Sequence, residues 1–108
     1  MDFLKENPRF IEPNLSRNVQ IAASFRKLAG ELNISASGLA IAWLLHQGDN
    51  IIPIPGTRTV KHLEELAEGT RRNLTQEELA LIDTTLPIGW AHGNRYSISQ
   101  SKAVEQYC

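Results

Sequence analysis

A chain of 108 residues that is 42% hydrophobic but only 6% aromatic can build one small aliphatic core and little more. With 11 Lys and Arg against 12 Asp and Glu, the net charge of -1 excludes a broad electrostatic footprint for nucleic acid or an anionic membrane, so any anion site must be local. The single cysteine, Cys108, excludes an intrachain disulfide and a multi-thiolate metal site, and it points to a reducing, cytoplasmic compartment.

In chain order, residues 1–16 read as an irregular arm. Pro8 and Pro13 interrupt regular structure, and Asn7, Asn14 and Ser16 favour turns. The arm has no long apolar run and does not read as a signal peptide. Ile21, Phe25, Leu28 and Leu32 then recur at helical spacing, which predicts a helix over 17–32 capped by Ser16.

A second helix is expected over 35–47, capped by Ser35 or Ser37 and stopped by Gly48. Its stretch Leu39-Ala40-Ile41-Ala42-Trp43-Leu44-Leu45 is apolar on every side, so it calls for burial with Trp43 in the core. That run is far too short to span a bilayer. Ile51-Ile52-Pro53-Ile54-Pro55 reads as one buried strand. Gly56-Thr57-Arg58-Thr59 is a loop, with Thr59 capping a third helix over 60–68. Val60, Leu63 and Ala67 should form its inner face and Gly69 its stop.

Thr75-Gln76-Glu77-Glu78 is a capping box that opens a fourth helix, lined by Leu79, Ile82 and Leu86 and closed by Pro87. Residues 88–108 read as a tail. No repeat or linker divides the chain, so 1–108 is expected to be one segment of arm, helices with a single strand over 17–87, and tail. A lone strand leaves its N–H and C=O groups without partners. Either it pairs with another copy or it evolved to sit in a sheet whose other strands lie elsewhere.

The segments Leu39–Leu45, Ile52-Pro53-Ile54-Pro55-Gly56-Thr57-Arg58, His62-Leu63-Glu64-Glu65 and Leu74–Leu79, with Asn7-Pro8-Arg9-Phe10 and Asn94-Arg95-Tyr96, together resemble the C-terminal region of aldo-keto reductases. The resemblance implies α/β ancestry: the C-terminal part of a (β/α)₈ TIM barrel, with 17–32 and 35–47 as its seventh helical layer and Ile51–Ile54 as its eighth strand. It also implies an NADPH-dependent aldehyde or ketone oxidoreductase. The family's catalytic Asp, Tyr, Lys and His lie on earlier strands and have no match here. Tyr96 and Tyr107 fall in the tail, and His46, His62 and His92 lie away from any strand end. No catalytic or metal-binding residue is therefore expected, and the chain alone should be inactive.

What can carry chemistry is the strand-loop-helix stretch 54–65. Backbone N–H groups and the positive end of a helix dipole suit an incoming phosphate. Thr57 adds a hydroxyl, Arg58 a planar permanent cation, and Gly56 room for close approach. The resemblance implies that Gly56, Thr57 and Arg58 bind the 2′-phosphate of NADP, with His62 against the phosphate or adenine and Glu65 at the adenine amino group. Leu66 stands where the family usually has Asn.

Two alternatives are weighed against this reading. One is a structural, self-associating module without cofactor. Its partner would be a second copy or the missing N-terminal barrel portion, because uncovered apolar surface drives association. The other is a helix-turn-helix nucleic-acid binder, disfavoured by the near-neutral charge and the scarcity of basic residues on 35–47.

Overall fold

Helices account for all the regular structure among residues 2–102, the residues described by the computed structural model. Tyr107 and Cys108 lie outside them. Two short 3₁₀ helices, Asp2–Glu6 and Pro8–Phe10, precede α1 (Asn14–Glu31), α2 (Ala36–Leu45), α3 (Val60–Arg71), α4 (Gln76–Thr85) and a single-turn α5 (Ile98–Ser101). The chain forms two compact units, divided within α1. One takes the described residues up to Ala22 and those from Ile88 onward, and the other is Ala23–Pro87.

The larger unit holds the core that positions the site. α1 ends in a Schellman turn, made possible because Asn33 adopts a left-handed backbone with φ of 56°. The Ile34 N–H bonds the Ala29 carbonyl at 3.0 Å and the Asn33 N–H bonds the Gly30 carbonyl at 3.1 Å, which turns Ile34 back into the core. α2 follows at 86° to α1. Its cap is Ser35, whose Oγ accepts the Gly38 N–H at 3.0 Å. Leu28, Ala29, Ile34, Leu39, Ala42, Leu74 and Ile82 form the buried cluster, flanked by half-buried Phe25, Leu32, Trp43 and Leu79. Trp43 is thus at the edge of the core rather than inside it, and its Nε1 donates to Asp83 Oδ1 at 3.2 Å.

α2 packs on α3 with backbone against backbone. A Cβ on Gly69 would lie 2.3 Å from the Gly38 carbonyl oxygen, and one on Gly38 would lie 2.7 Å from that of Glu65. Only glycine lets the two helices approach this closely. Gly69 is therefore a buried contact within α3, not the stop expected of it, and α3 runs on to Arg71. Two further expectations need correction. Ser16 lies inside α1, its hydroxyl bonded to Glu12 at 2.7 Å, and is not the cap. α2 ends at Leu45 with His46 as its cap, before Gly48.

The His46 ring ties the end of α2 to the approach to α4. Its Nε2 accepts the Leu74 N–H at 3.1 Å, and its Nδ1 lies 2.7 Å from the Ala42 carbonyl oxygen. α4 opens on the expected capping box of Thr75 and Glu78. Glu78 also pairs with Arg72 at 3.0 Å. The N–H of Thr75 first, and Arg72 after it, hold the Glu78 carboxyl below the ordinary glutamate range.

The expected strand is absent: among the described residues there is none. Residues 51–57 form neither helix nor ladder, and Ile52 and Ile54 are 83% and 93% exposed. Of the face expected of α3, two of its three residues, Val60 and Leu63, are turned out, while the third, Ala67, is half-buried with Glu65 and Leu66, and Gly69 is buried. A helix satisfies its own backbone, whereas a strand needs a neighbour that this unit does not offer.

In the smaller unit, asparagine amides hold arm and tail together. Asn7 is buried, its Nδ2 donating to the Arg95 carbonyl and its Oδ1 accepting the Arg9 N–H at 3.1 Å. Asn18 exchanges two bonds with the His92 backbone, at 2.9 and 2.7 Å. Gly93, at φ of 87°, passes so close to Pro8 and Asn14 that a Cβ there would lie 2.6 Å from Asn14 Nδ2. The guanidinium of Arg95 stacks over Tyr96 at 5.4 Å from the ring centre.

Candidate functional site

The α2–α3 crossing sets the geometry of the one region that gathers the expected site residues. Because the helices touch through glycine, the first turn of α2 faces the first two turns of α3 across a narrow gap. Between them opens a groove of about 730 Å³. The walls on the α3 side are Gly56, His62, Glu65 and Leu66, and those on the α2 side are Ile34, Ser35, Ala36 and Ser37. Arg26 and Gly30 of α1 complete the lining. The volume lies within the range of small-molecule sites.

Three of the five expected cofactor residues, Gly56, His62 and Glu65, therefore share one groove, while Thr57 and Arg58 are not among its lining residues. Thr59 caps α3, its Oγ1 accepting the His62 N–H at 3.1 Å. Thr57 donates its hydroxyl to the Thr59 carbonyl at 3.2 Å, so the oxygen that was expected to donate outward is engaged within the loop. Open space surrounds Gly56, so the close approach expected there awaits another molecule. Arg58 is exposed.

The sequence reading missed the opposite wall. Arg26, Ser37 and the start of α2 bring a cation, a hydroxyl and a helix N-terminus to the same groove. The signal was there: Ser35 was legible as a cap, and Gly38 and Gly69 are the small residues that a close crossing requires. Chemically the groove is amphipathic, with Ile34 and Leu66 for a flat apolar group, Arg26 for negative charge and the Glu65 carboxylate for a hydrogen-bond donor. Among the described residues, no group of three or more His, Cys, Asp or Glu is placed to hold a metal ion. Nor is any single helix long and apolar enough to cross a membrane.

Comparison with known proteins adds a second line. The model of the aldo/keto reductase family matches residues 2–86. Probable aldo-keto reductase 1 of Glycine max is 37% identical over 93 residues, 86% of this chain and 27% of that protein. The aldo-keto reductase yakc [NADP(+)] of Schizosaccharomyces pombe is 45% identical over 64 residues, 59% of this chain and 19% of that protein. The chain thus spans about a quarter or less of the length of these relatives. No solved structure matches it.

Proposed function

The chain belongs to the aldo/keto reductase family, and from that premise we propose that it is the C-terminal part of an NADPH-dependent reductase of aldehydes and ketones, carrying the adenosine 2′-phosphate end of the cofactor site. In the complete protein, residues 51–54 would be the last strand of a (β/α)₈ barrel, and the fully exposed Ile52 and Ile54 would meet the barrel's other layers.

The observation that carries this reading is the groove, which brings Gly56, His62 and Glu65 together opposite the N-terminal turn of α2. The residues fit the group. Arg58 and the free N–H groups beside Gly56 suit a phosphate. Ile34 and Leu66 would hold the flat base, and the Glu65 carboxylate would accept from its amino group. Leu66 offers no amide for a second bond to the base. When bound, NADPH supplies a hydride. This chain's residues would hold its far end and leave the proton donor, which must sit at the carbonyl oxygen, to the remainder of the protein. The chain alone should therefore turn over no carbonyl substrate.

Titration with 2′,5′-ADP and with 5′-AMP, followed by NMR, tests the assignment. A handful of charge-assisted contacts supports about millimolar affinity. The 2′-phosphorylated ligand should bind more tightly, with shifts at Gly56, Arg58 and His62, and Arg58→Ala should erase the difference. Equal binding of the two ligands, or indifference to Arg58→Ala, would reject it.

A further inference from the structure

We infer that Arg26 of α1 reads the base in the groove, donating to a ring nitrogen of adenine while Glu65 accepts from the amino group beside it. This rests on the reading of the groove as the adenosine end of a cofactor site. It adds a contact from a helix outside the stretch 54–65. Arg26, Gly30, Ile34, Glu65 and Leu66 all line the groove and all belong to the unit Ala23–Pro87.

Among the described residues, Arg26 is the one permanent cation in the lining and Glu65 the one carboxylate. Among those residues neither has an ion-pair partner. Two opposite charges that share a groove without closing on each other suit a ligand that presents an acceptor to one and a donor to the other. The same groove is lined by buried Ile34 and half-buried Leu66, which suit a flat ring. Gly30, one turn along the same face of α1, has no side chain and open space around it. Of the two α1 residues on this wall, only Arg26 projects.

The two arginines serve different parts of the ligand. Thr57 and Arg58, which suit a phosphate, stand outside the lining, so the phosphate belongs at the mouth beside Gly56 and the base belongs inside. Arg26 lines the interior, where its partner is the base edge. Adenine fits that pair of charges. Its amino group donates, and it is flanked on either side by a ring nitrogen that only accepts, N1 or N7. Glu65 takes the amino proton, and the nitrogen next to it needs a donor. Leu66 has none, and Ser35 is committed to capping α2, its Oγ accepting the Gly38 N–H at 3.0 Å. A guanidinium has five N–H groups and no acceptor, so it complements whichever ring nitrogen faces it. Guanine and hypoxanthine carry a carbonyl oxygen in place of the amino group, which would face the Glu65 carboxylate.

Titration of the full chain with ¹⁵N-labelled 5′-AMP, followed by ¹⁵N NMR of the ligand, reads the contact directly. Either the N1 or the N7 resonance should move upfield on binding, as a hydrogen bond to a ring nitrogen requires, and Arg26→Ala should abolish that movement. Affinities for 5′-AMP and 2′,5′-ADP give the second arm. Arg26→Ala should weaken both equally, by about three- to tenfold for a charge-assisted hydrogen bond partly in solvent. The preference for the 2′-phosphorylated ligand should survive that change. Arg58→Ala should do the reverse, erasing the preference and keeping the ¹⁵N shift. Circular dichroism should show the helices unchanged in Arg26→Ala, because Arg26 is exposed. A ¹⁵N shift that survives Arg26→Ala, or a loss confined to 2′,5′-ADP, would overturn the inference and leave the cofactor reading standing. A wild-type chain that binds neither ligand, or both equally, would overturn the two together.

Discussion

Residues 39–42 and 51–54 are both short aliphatic stretches, only a turn apart in sequence, and their fates in the fold are opposite. Leu39 and Ala42 are completely buried, whereas Ile52 and Ile54 stand almost wholly in solvent. Hydrophobicity does not separate them. α2 closes its hydrogen bonds within itself and needs neighbours only for its side chains, which α1, α3 and α4 supply. Residues 51–54 need neighbours for the backbone as well, and none lies within the unit. Apolar sequence states a demand for burial, and whether the demand is met depends on what else is present.

The contrast can be tested position by position. The largest effect is expected at Leu39. Leu39→Ala should cost about 2–5 kcal/mol by leaving a cavity in a core with little else to close it, and chemical denaturation would measure it. Next comes Gly69→Ala, which should cost about 1–3 kcal/mol because the new methyl overlaps the Gly38 carbonyl and must part α2 from α3. Ser35→Ala, which removes the α2 cap, should cost about 1 kcal/mol and loosen the groove wall at Ser37 before the core.

A smaller contribution depends on pH. The Glu78 carboxyl is held below its ordinary range by the Thr75 N–H and Arg72, so its folded pKa lies below the unfolded one. Its stabilisation is complete above the unfolded value and disappears as pH falls through the folded one. Thermal melts of the wild type and Glu78→Gln should therefore converge on acidification. At the far end, Ile54→Ser should change monomer stability by no more than about 0.5 kcal/mol. A loss of 2 kcal/mol there would mean that the stretch is packed after all and would erase the contrast with α2.

This contrast also explains what could be read in advance. The caps Ser35, Thr59 and Thr75 were legible because capping is a transaction among four neighbouring residues. The strand over 51–54 was misjudged because its hydrogen bonds would go to residues distant in sequence or absent. Gly69 was read as a helix stop because glycine serves both for left-handed turns and for close approach, and only the position of Gly38 distinguishes the two. Half of the groove was legible from the stretch 54–65. Arg26 and Ser37 came from another part of the chain, brought in by a crossing that sequence periodicity does not encode.

The glycine crossing has a consequence for how this unit can change over generations. Where two side chains meet, a substitution on one side can be answered by another opposite, so the pair drifts while the fit is kept. At Gly38 and Gly69 the touching atoms belong to the main chain, which no codon alters, and there is nothing to trade. A combinatorial library selected only for folding should exchange Leu39 and Ile41 among other aliphatics with compensating partners. It should return Gly38 and Gly69 unchanged, holding the orientation of the groove walls constant while the surrounding core is rewritten.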